Sequence, residues 1–397
     1  MIKLVENNRC TGCGACAFVC AKKCITMQED TIGRVLPTIN HDDCVECGRC
    51  VKNCPILSPV EYHEPMKAYA AWSADEEERR TSASGGIAAE IYKHALTEGC
   101  NIAGAVQNED FSVSLKLSNE VEDIKAFKNS KYVFSSAIEL YAQLKESLKR
   151  GERSVVICLP CQVAAIRKIF RDNPNIILAD VVCHGTTPVS YLRQHISMLE
   201  KQCNDVSKRM SFRDPYTYTY TFTFTLYNSD NQLFYAKRTK DGDAYQFGYH
   251  RTVNYRENCY HCPFALSKRI SDVTLSDYKG LGKMAPCSYN GLKVSSVLVN
   301  TDRGKKFIDS LINDNKIVAE KRPTMEPING DAQLRHPSIK NKYRRLFENN
   351  IARHKGDYEK SISPVLKVYN RDELIKKIIG MPRRAARKVL KIIGLKK

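Results

Sequence analysis

Short apolar runs alternate with helical patterns between about residues 66 and 197. Apolar positions at a spacing of three or four residues predict helices, and continuous apolar runs of four to eight residues predict buried strands. The predicted elements are helices over 87–98, 136–150 and 162–171 and strands over 101–106, 154–158 and 176–183. This alternation is typical of an α/β domain, and we expect a largely parallel sheet.

A different pattern follows between about residues 207 and 300, where β-forming residues are enriched. Residues 216–227 read YTYTYTFTFTLY, with aromatic side chains on one face and mostly threonine on the other. This alternation predicts a β-strand within a β-rich segment. Basic residues are not interleaved with the aromatic ones, so packing in a core is favoured over stacking on a nucleic acid.

The first sixty residues contain an internal repeat of the pattern C-x2-C-x2-C-x3-C, offset by thirty-four residues. The repeated cysteines are Cys10, Cys13, Cys16 and Cys20, followed by Cys44, Cys47, Cys50 and Cys54. Two such runs predict two [4Fe–4S] clusters, because one loop supplies three thiolates and the fourth cysteine binds the other cluster. Zinc is the weaker alternative, since zinc sites use paired CxxC units.

The crossing of fourth ligands assigns each cysteine to a cluster. We expect the first cluster on Cys10, Cys13, Cys16 and Cys54, and the second on Cys44, Cys47, Cys50 and Cys20. Pro55 follows Cys54 as is usual, whereas Ala21 follows Cys20. Cys24 is interpreted as a buried thiol outside both clusters.

Composition agrees with a globular chain of 397 residues with 43% hydrophobic residues and a net charge of +18. No run of eighteen apolar residues and no secretory signal is present, so we expect a cytoplasmic protein without a transmembrane helix. The predicted domains are a ferredoxin domain over 1–60, an α/β part of a core over 66–200, a second part over 201–345, and a basic amphipathic tail over 346–397.

A second set of cysteines lies beyond the ferredoxin repeat, at Cys158, Cys161, Cys183, Cys259 and Cys262. Cys158 and Cys183 lie at the ends of predicted strands, at the sheet edge where α/β proteins bind ligands. Four of these cysteines are able to hold a third cluster. Alternatively, Cys158 and Cys161 form a dithiol at a helix start. Buried, unreactive thiols are the third interpretation, and the preferred one for Cys100, Cys203 and Cys287.

Residues 82–86 (SASGG) precede the predicted helix over 87–98. Serine can cap such a helix, and glycine lets a ligand approach the backbone N–H groups. A phosphate suits this helix start, although a simple N-cap is the commoner explanation.

Together these residues resemble the family of coenzyme F420 hydrogenase/dehydrogenase beta subunits. The matching segments are 84–86 (SGG), 130–133 (SKYV), 160–162 (PCQ), 183–185 (CHG), 212–214 (FRD), 259–265 (CYHCPFA) and 269–278 (RISDVTLSDY). They cover roughly residues 66–300 in the family's order. The fused two-cluster ferredoxin resembles the bacterial branch, which is often associated with polysaccharide synthesis.

The resemblance implies FAD and a third [4Fe–4S] cluster in a multidomain α+β and α/β chain, with a bacterial-type ferredoxin fold followed by an α/β flavin-binding core. Its implied flavin contacts are Ser84, Gly85, Gly86, Ser130, Lys131, Tyr132, Pro160 and Gln162. Its implied ligands of the third cluster are Cys161, Cys183, Cys259 and Cys262. His184 and His261 are interpreted as proton donors near the flavin or, preferentially, as packing residues beside the cysteines.

The resemblance also implies an iron–sulfur flavoprotein oxidoreductase that exchanges electrons between the clusters, FAD and an organic substrate or F420. A non-catalytic electron-transfer subunit that serves a partner enzyme is the alternative, and no nucleic acid is expected. The chain departs from the family at Tyr278-Lys279-Gly280, where an aromatic residue, Trp and Gly are common, and at Leu159. These departures bear on the substrate.

The last segment, 376–397, contains nine Lys and Arg residues and no acidic residue, with apolar residues interspersed. Pro382 divides it into two short amphipathic pieces. The pattern predicts peripheral contact with an anionic membrane, or a helix that docks on its own protein.

Overall fold

The computed structural model describes residues 2–215, 217, 222–288 and 293–379. The N-terminal module consists of α1 (Ala15–Val19), β1 (Ile25–Glu29), β2 (Val35–Ile39) and α2 (Arg49–Lys52). β1 and β2 pair antiparallel, with Ile25 opposite Ile39. Gly14 and Gly48 cap the two helices in the left-handed conformation, at equivalent places of the repeat. The module therefore repeats one cysteine loop and one short helix on either side of a hairpin.

The remaining strands form one large sheet and one small sheet. They are β3 (Lys67–Ser73), β4 (Asn101–Gln107), β5 (Val113–Ser118), β6 (Ser135–Ser136), β7 (Ser154–Cys158), β8 (Ile176–Val181), β9 (Arg209–Ser211), β10 (Thr223–Tyr227), β11 (Leu233–Arg238), β12 (Val273–Asp277), β13 (Ser295–Val299) and β14 (Ile317–Arg322). The large sheet has the order β14-β3-β13-β12-β8-β7-β4-β5-β6, and the small one β11-β10-β9.

The remaining helices surround these sheets. They are α3 (Glu76–Thr81), α4 (Ile87–Thr97), α5 (Asp123–Phe127), α6 (Ile138–Lys149), α7 (Pro160–Phe170), α8 (Val189–Cys203), α9 (Ala244–His250), α10 (Asp302–Asn313), α11 (Met325–Gly330), α12 (Arg344–Arg353) and α13 (Tyr358–Ile379).

The large sheet is mixed, so the prediction of a largely parallel sheet is wrong outside its centre. β12, β8, β7 and β4 run parallel, as the strand–helix–strand pattern requires. β13 instead pairs antiparallel with both β12 and β3, and β14 pairs antiparallel with β3. β12 and β13 follow each other without an intervening described helix, so a parallel crossover between them is absent from the described residues.

Successive residues of the central strands point into two separate cores, one on each face of the sheet. Val155 and Ile157 of β7 pack in a core with α4 and α10, whereas Val156 and Cys158 pack with α6 and α7. Residues of β7 are buried on both faces, which explains the apolar run that predicted this strand.

The N-terminal module packs against the α6–α7 face. Ala15 belongs to the core of this face, and Tyr141 of α6 donates a hydrogen bond from its hydroxyl to the Cys13 carbonyl at 2.8 Å. Lys168 Nζ of α7 donates to Ser58 Oγ at 2.7 Å. These contacts hold the cysteine loop around Cys13 on α6 and the end of the module on α7, the helix that contains Cys161.

A third core joins the small sheet to α8, α9, α12 and α13. Phe224 and Leu226 of β10 are buried in it, as the aromatic stripe predicted. The strand predicted over 216–227 begins at Thr223; residues 216 and 218–221 lie outside the described residues. The threonine face is also buried, and there Thr225 Oγ1 donates a hydrogen bond to Asp214 Oδ2 at 2.9 Å.

The C-terminal helices α12 and α13 pack on this third core through Phe347 and Ile362. The domain boundary expected between residues 345 and 346 falls inside α12. Of the basic segment 376–397, the structure describes only the end of α13, and residues 380–397 lie outside the described part. None of the described helices combines the length and the apolar character needed to cross a membrane.

Candidate functional site

The N-terminal module brings the predicted ligands of its first cluster together. Cys10, Cys13, Cys16 and Cys54 line one small cavity, which we call the N-terminal cavity. Burial, together with the neighbouring thiols Cys10 and Cys54, raises the pKa of Cys13 to about 11. Without a metal these thiols therefore keep their protons, and a bound metal centre would displace the protons, because a coordinating sulfur is a thiolate.

The predicted ligands of the second cluster also lie together. Cys20, Cys44 and Cys50 belong to one apolar cluster, and the thiolates of Cys44 and Cys47 act electrostatically on Cys50. Cys24 is buried, as expected, but it is no isolated thiol. Its sulfur lies 3.3 Å from Cys20 Sγ. A thiol at this distance can donate a hydrogen bond to a cluster ligand.

A second group of four cysteines converges at the carboxyl edge of the central parallel strands. Cys161 lies in the first turn of α7, Cys183 follows β8, and Cys259 and Cys262 lie in and after a short 3₁₀ helix. All four, together with Cys13, line one cavity, which we call the cysteine cavity. The spacing of these cysteines in the sequence does not predict this arrangement, because about a hundred residues separate Cys161 from Cys259 and Cys262.

The donors of the cysteine cavity suit an iron–sulfur cluster. Thr186 donates its backbone N–H to Cys259 Sγ at 3.4 Å, and Asn258 Nδ2 lies 3.7 Å from the same sulfur. Such hydrogen bonds stabilise cluster thiolates. Among the described residues, no group of three His, Cys, Asp or Glu side chains is placed to hold a single metal ion. A cube instead distributes four thiolates around itself.

The remaining strand-end cysteine, Cys158, is separate from this group. It is buried and lines the neighbouring larger cavity, and it is not among the described residues that line the cysteine cavity. Cys161 instead interacts electrostatically with Cys262, Cys183, Cys13 and Cys259. This grouping favours the cluster over the Cys158–Cys161 dithiol.

A cavity of about 380 Å³, the large cavity, opens between the start of α4 and a wall that includes Phe222 and the end of α9. Its size lies within the usual range of ligand pockets. Gly86 caps α4 with φ +88° and without a side-chain hydrogen bond, so the prediction of a serine cap is wrong. The first N–H groups of an eleven-residue helix therefore remain available at the cavity wall, where they suit an anion.

The structure distributes the implied flavin contacts over the two cavities. Ser84, Gly86, Ser130, Lys131, Tyr132 and Gln162 line the large cavity. Gly85 packs against the sheet, since its N–H donates to Ser295 Oγ at 2.9 Å and an added Cβ would lie 2.5 Å from the Ala71 carbonyl. Pro160 lines the cysteine cavity. The chain therefore presents six of the eight residues to the large cavity.

Two of these side chains are used to hold the cavity wall. Lys131 Nζ donates to the carbonyls of Ala126 and Lys128, both at 2.9 Å, and burial lowers its pKa to about 7. Gln162 Nε2 donates to Ser135 Oγ at 2.9 Å, and its Oε1 accepts from the Leu159 N–H at 3.0 Å. The Lys131 bonds fix a loop of the large cavity, and the Gln162 bonds fix Ser135 and Leu159, which line both cavities.

Some residues of the large cavity are not recognisable in the sequence. Tyr132 stacks on Tyr249 with ring centroids 4.4 Å apart, and the His250 ring lies 4.7 Å from Phe222. Arg213 lies over Phe222 and pairs with Asp277 at 2.9 Å. An aromatic wall bordered by a guanidinium can bind a planar, electron-poor ring. The sequence had singled out Arg213 in the FRD segment, Tyr132 in the SKYV segment and Phe222 in the aromatic stripe, whereas Tyr249 and His250 carried no signal.

A charged group at the mouth of the large cavity involves the family departure at Lys279. Lys279 Nζ lies 3.0 Å from Asp331 Oδ2 and 3.3 Å from His184 Nε2. Burial alone would raise the pKa of Asp331, but His184 and Lys279 outweigh it and lower the pKa to about 2. His184 thus belongs to the charged group that lines the large cavity, whereas His261 is exposed, pairs with Glu257 at 3.3 Å and is not among the described residues that line this cavity.

The three cavities adjoin one another. Thr11 and Cys13 line both the N-terminal and the cysteine cavity. The cysteine and large cavities share residues at the ends of β7 and β8, including Leu159, Cys183 and His184. The fold therefore places the ferredoxin cysteines, the second cysteine group and the large cavity in one continuous series.

Comparison with known proteins identifies the N-terminal module. Residues 9–56 match the model of a 4Fe-4S dicluster domain. Among curated proteins, a subunit of the F(420)H(2) dehydrogenase of Methanosarcina mazei is 23% identical over 338 residues, covering 82% of this chain and 88% of that protein. Coenzyme F420-dependent sulfite reductase of Methanocaldococcus jannaschii is 30% identical over 179 residues, covering 42% of this chain and 26% of that protein.

A solved structure also resembles the chain. The F420-reducing [NiFe] hydrogenase complex from Methanosarcina barkeri contains a chain with a TM-score of 0.43 and 19% identity, covering 75% of this chain and 90% of that one. Residues 68–141 match the N-terminal model, and residues 151–324 the C-terminal model, of the coenzyme F420 hydrogenase/dehydrogenase beta subunit. With both parts of one family's model matched in order, the chain belongs to the family of coenzyme F420 hydrogenase/dehydrogenase beta subunits.

Proposed function

We propose that the chain is an iron–sulfur flavoprotein oxidoreductase, with two [4Fe–4S] clusters in the N-terminal module, a third in the cysteine cavity and FAD in the large cavity. The main support for this proposal is that the three cavities adjoin one another, since neighbouring cavities share lining residues. Clusters transfer single electrons, and a flavin exchanges either one electron or two, which is the chemistry these groups supply when bound.

The cysteine cavity supports the third cluster through its donors. Cys161, Cys183, Cys259 and Cys262 are brought to one place by separate segments of the chain. Arg269, which is buried, holds the loop after Cys262 by donating to the Phe264 carbonyl at 3.1 Å, and it pairs with the buried Asp180. The cavity is therefore built on the rigid edge of the sheet.

The large cavity supports a dinucleotide through an anion-binding end and an aromatic end. The helix start at Gly86 offers N–H groups, and basic side chains lie close to the loop before it. Lys293 Nζ donates to the Ser82 carbonyl at 2.9 Å, and burial together with the nearby Arg213 and Arg80 lowers its pKa to about 8. A pyrophosphate at the helix start would lie close to these basic groups, and the rings of Tyr132 and Tyr249 also line the cavity.

The flavin proposal is tested by placing a carboxylate at the helix start. Ala88 lies in the first turn of α4 and lines the large cavity. Ala88→Asp suits the helix dipole and so preserves the fold, but it repels a phosphate. We expect purified Ala88→Asp to lose at least tenfold in FAD affinity by fluorescence titration, whereas the isosteric control Ala88→Asn retains more of it. Equal FAD affinity in both variants and the wild type contradicts this placement of the pyrophosphate.

For the substrate we propose an organic molecule or an F420-like deazaflavin that exchanges electrons at the flavin, in line with the names of the relatives. Lys279, Asp331 and His184 line the mouth of the large cavity and are placed to contact it. A role in polysaccharide synthesis stays a prediction from the sequence. Reduction of F420 by the dithionite-reduced holoprotein, followed by the F420 absorbance, tests the deazaflavin directly.

The second candidate function is a non-catalytic electron-transfer subunit. The relative from Methanosarcina mazei is named as a subunit of a dehydrogenase, which favours this alternative. Cys47 of the second N-terminal cysteine set is exposed, where a partner protein can approach it. A purified chain that binds no flavin and turns over no substrate alone, but supports turnover with its partner, would select this function.

The basic segment 376–397 leads to a further proposal of peripheral contact with an anionic membrane. Leu374, Ile375 and Ile379 are exposed at the end of α13, next to Lys376 and Lys377. Flotation with vesicles rich in phosphatidylserine compares the full chain with one that ends at Tyr369. The membrane proposal requires that only the full chain floats, and equal flotation of both chains refutes it.

A further inference from the structure

Arg256 is a buried cation at the junction of the N-terminal module and the core. It directly precedes the 3₁₀ helix that contains Cys259, and its side chain is 3% exposed. Nη1 donates to the Thr11 carbonyl at 2.8 Å, and Nη2 to the Val35 carbonyl at 3.4 Å. The guanidinium lies over the Phe134 ring, 4.5 Å from its centroid. One side chain thus contacts both domains.

The charge of Arg256 lacks a carboxylate partner among the described residues, and its Nε is buried without a hydrogen bond. The two backbone carbonyls accept one hydrogen bond each from Nη1 and Nη2 but do not balance the charge. Arg269 lines the same cysteine cavity, and its buried charge is neutralised by an ion pair with Asp180. An unbalanced buried charge is costly, so a negative group is expected close to Arg256.

The two cysteine groups supply that negative charge from either side. Arg256 itself lines the cysteine cavity, and its partner Thr11 lines both this cavity and the N-terminal cavity. Clusters held by four thiolates carry net negative charge, and that charge contributes to their reduction potentials.

The loop between Cys10 and Cys13 is built to accept this arginine. Gly12 has φ +68°, and a Cβ added there would lie 2.7 Å from Arg256 Nη2. The guanidinium therefore approaches the loop more closely than any other residue at position 12 would permit.

We propose that Arg256 is the positioning residue that joins the first N-terminal cluster to the third cluster, with its charge balanced by both. The inference rests on the proposed function, since it requires a cluster in the cysteine cavity. It also orders the N-terminal module: the cluster on Cys10, Cys13, Cys16 and Cys54 faces the core, and the cluster that includes the exposed Cys47 faces outward.

The test compares Arg256→Gln and Arg256→Lys in the holoprotein with the control Arg209→Gln. Arg209 also lies over an aromatic ring, Tyr227, but on the small sheet. Iron is measured first, and the midpoint potentials are then obtained by redox titration followed by electron paramagnetic resonance. Loss of the charge in Arg256→Gln should lower the potentials of the first and third clusters by about 59 mV, a tenfold change for one electron. Arg256→Lys should retain them, and the control should match the wild type.

A second measurement separates positioning from charge. Lysine keeps the charge but lacks the rigid, planar fork with which the guanidinium donates to the Thr11 and Val35 carbonyls. Arg256→Lys should therefore increase hydrogen exchange at least tenfold in the peptide around Thr11, with unchanged exchange in the small sheet. If Arg256→Gln loses its clusters, the hydrogen exchange of Arg256→Lys still tests the positioning role. Wild-type potentials in Arg256→Gln, or wild-type hydrogen exchange around Thr11 in Arg256→Lys, overturn the inference. A wild type with only about eight irons per chain overturns the proposed third cluster instead.

Discussion

His195 in α8 is the centre of a buried charge network that holds α13 on the body of the protein. Its Nδ1 lies 2.7 Å from Glu359 Oε1 of α13, and its Nε2 lies 3.1 Å from Asp243 Oδ2 before α9. Burial alone lowers the pKa of His195, but Asp243 and Glu359 outweigh it and raise the pKa to about 9. The imidazolium is therefore the stable form at neutral pH.

The pKa difference sets the size and sign of the effect. An unfolded histidine titrates near 6.5, so a folded pKa of about 9 corresponds to about 3 kcal/mol of stabilisation. Because the folded pKa is raised, this stabilisation is fully present below about pH 6.5. Most of it is lost as the pH rises from 6.5 to 9. Raising the pH should thus loosen α13 even though no residue is changed.

Hydrogen exchange measured by mass spectrometry, corrected for the intrinsic pH dependence of exchange, reports the opening of α13. In the wild type, the opening free energy of the first turns of α13 should fall by about 3 kcal/mol between pH 6 and 9.5. His195→Gln should abolish this pH dependence and open readily at both values. His354→Gln, after α12, is the matched control and should behave as the wild type. A wild-type opening free energy that is constant or rises over this range would refute the assignment of His195 as a buried imidazolium.

Two further variants test the cysteine cavity and its support. Cys259→Ala should reduce the iron from about twelve to about eight per chain, since it removes one ligand of a single cluster. The control Cys203→Ala should keep the wild-type iron content. Equal iron content in both variants contradicts the third cluster. Arg269→Met should lower the free energy of unfolding, measured in urea, by about 3–5 kcal/mol, because Asp180 is then left buried and unpaired. The double variant Arg269→Met with Asp180→Leu should recover much of that loss. A wild-type urea midpoint in the single variant contradicts this role of Arg269.

Local patterns predicted much of the fold. β7 and α4 were predicted almost to the residue, because apolar runs and helical periodicity depend on neighbours in the chain. Strand direction beyond the sheet centre was not predictable, because β3 and β13 pair over more than two hundred residues. The pairing depends on tertiary contacts that no local pattern records.

The candidate site was also predictable from the sequence only in part. The spacing of the N-terminal cysteines assigned them to two groups, since one short loop supplies three ligands of each cluster and the other run supplies the fourth. The cysteine cavity needed the family resemblance before the fold brought Cys161 and Cys259 together. Arg256 and Tyr249 were missed, because a single arginine or tyrosine carries no spacing signal and acquires its role only from residues distant in the chain.

We propose that one chain holds three clusters and a flavin in adjoining cavities. Iron, acid-labile sulfide and flavin should be measured together on the anaerobically purified full chain. We expect about twelve irons, about twelve sulfides and one FAD per chain. About eight irons without flavin would contradict it, and would leave only the two clusters of the N-terminal module.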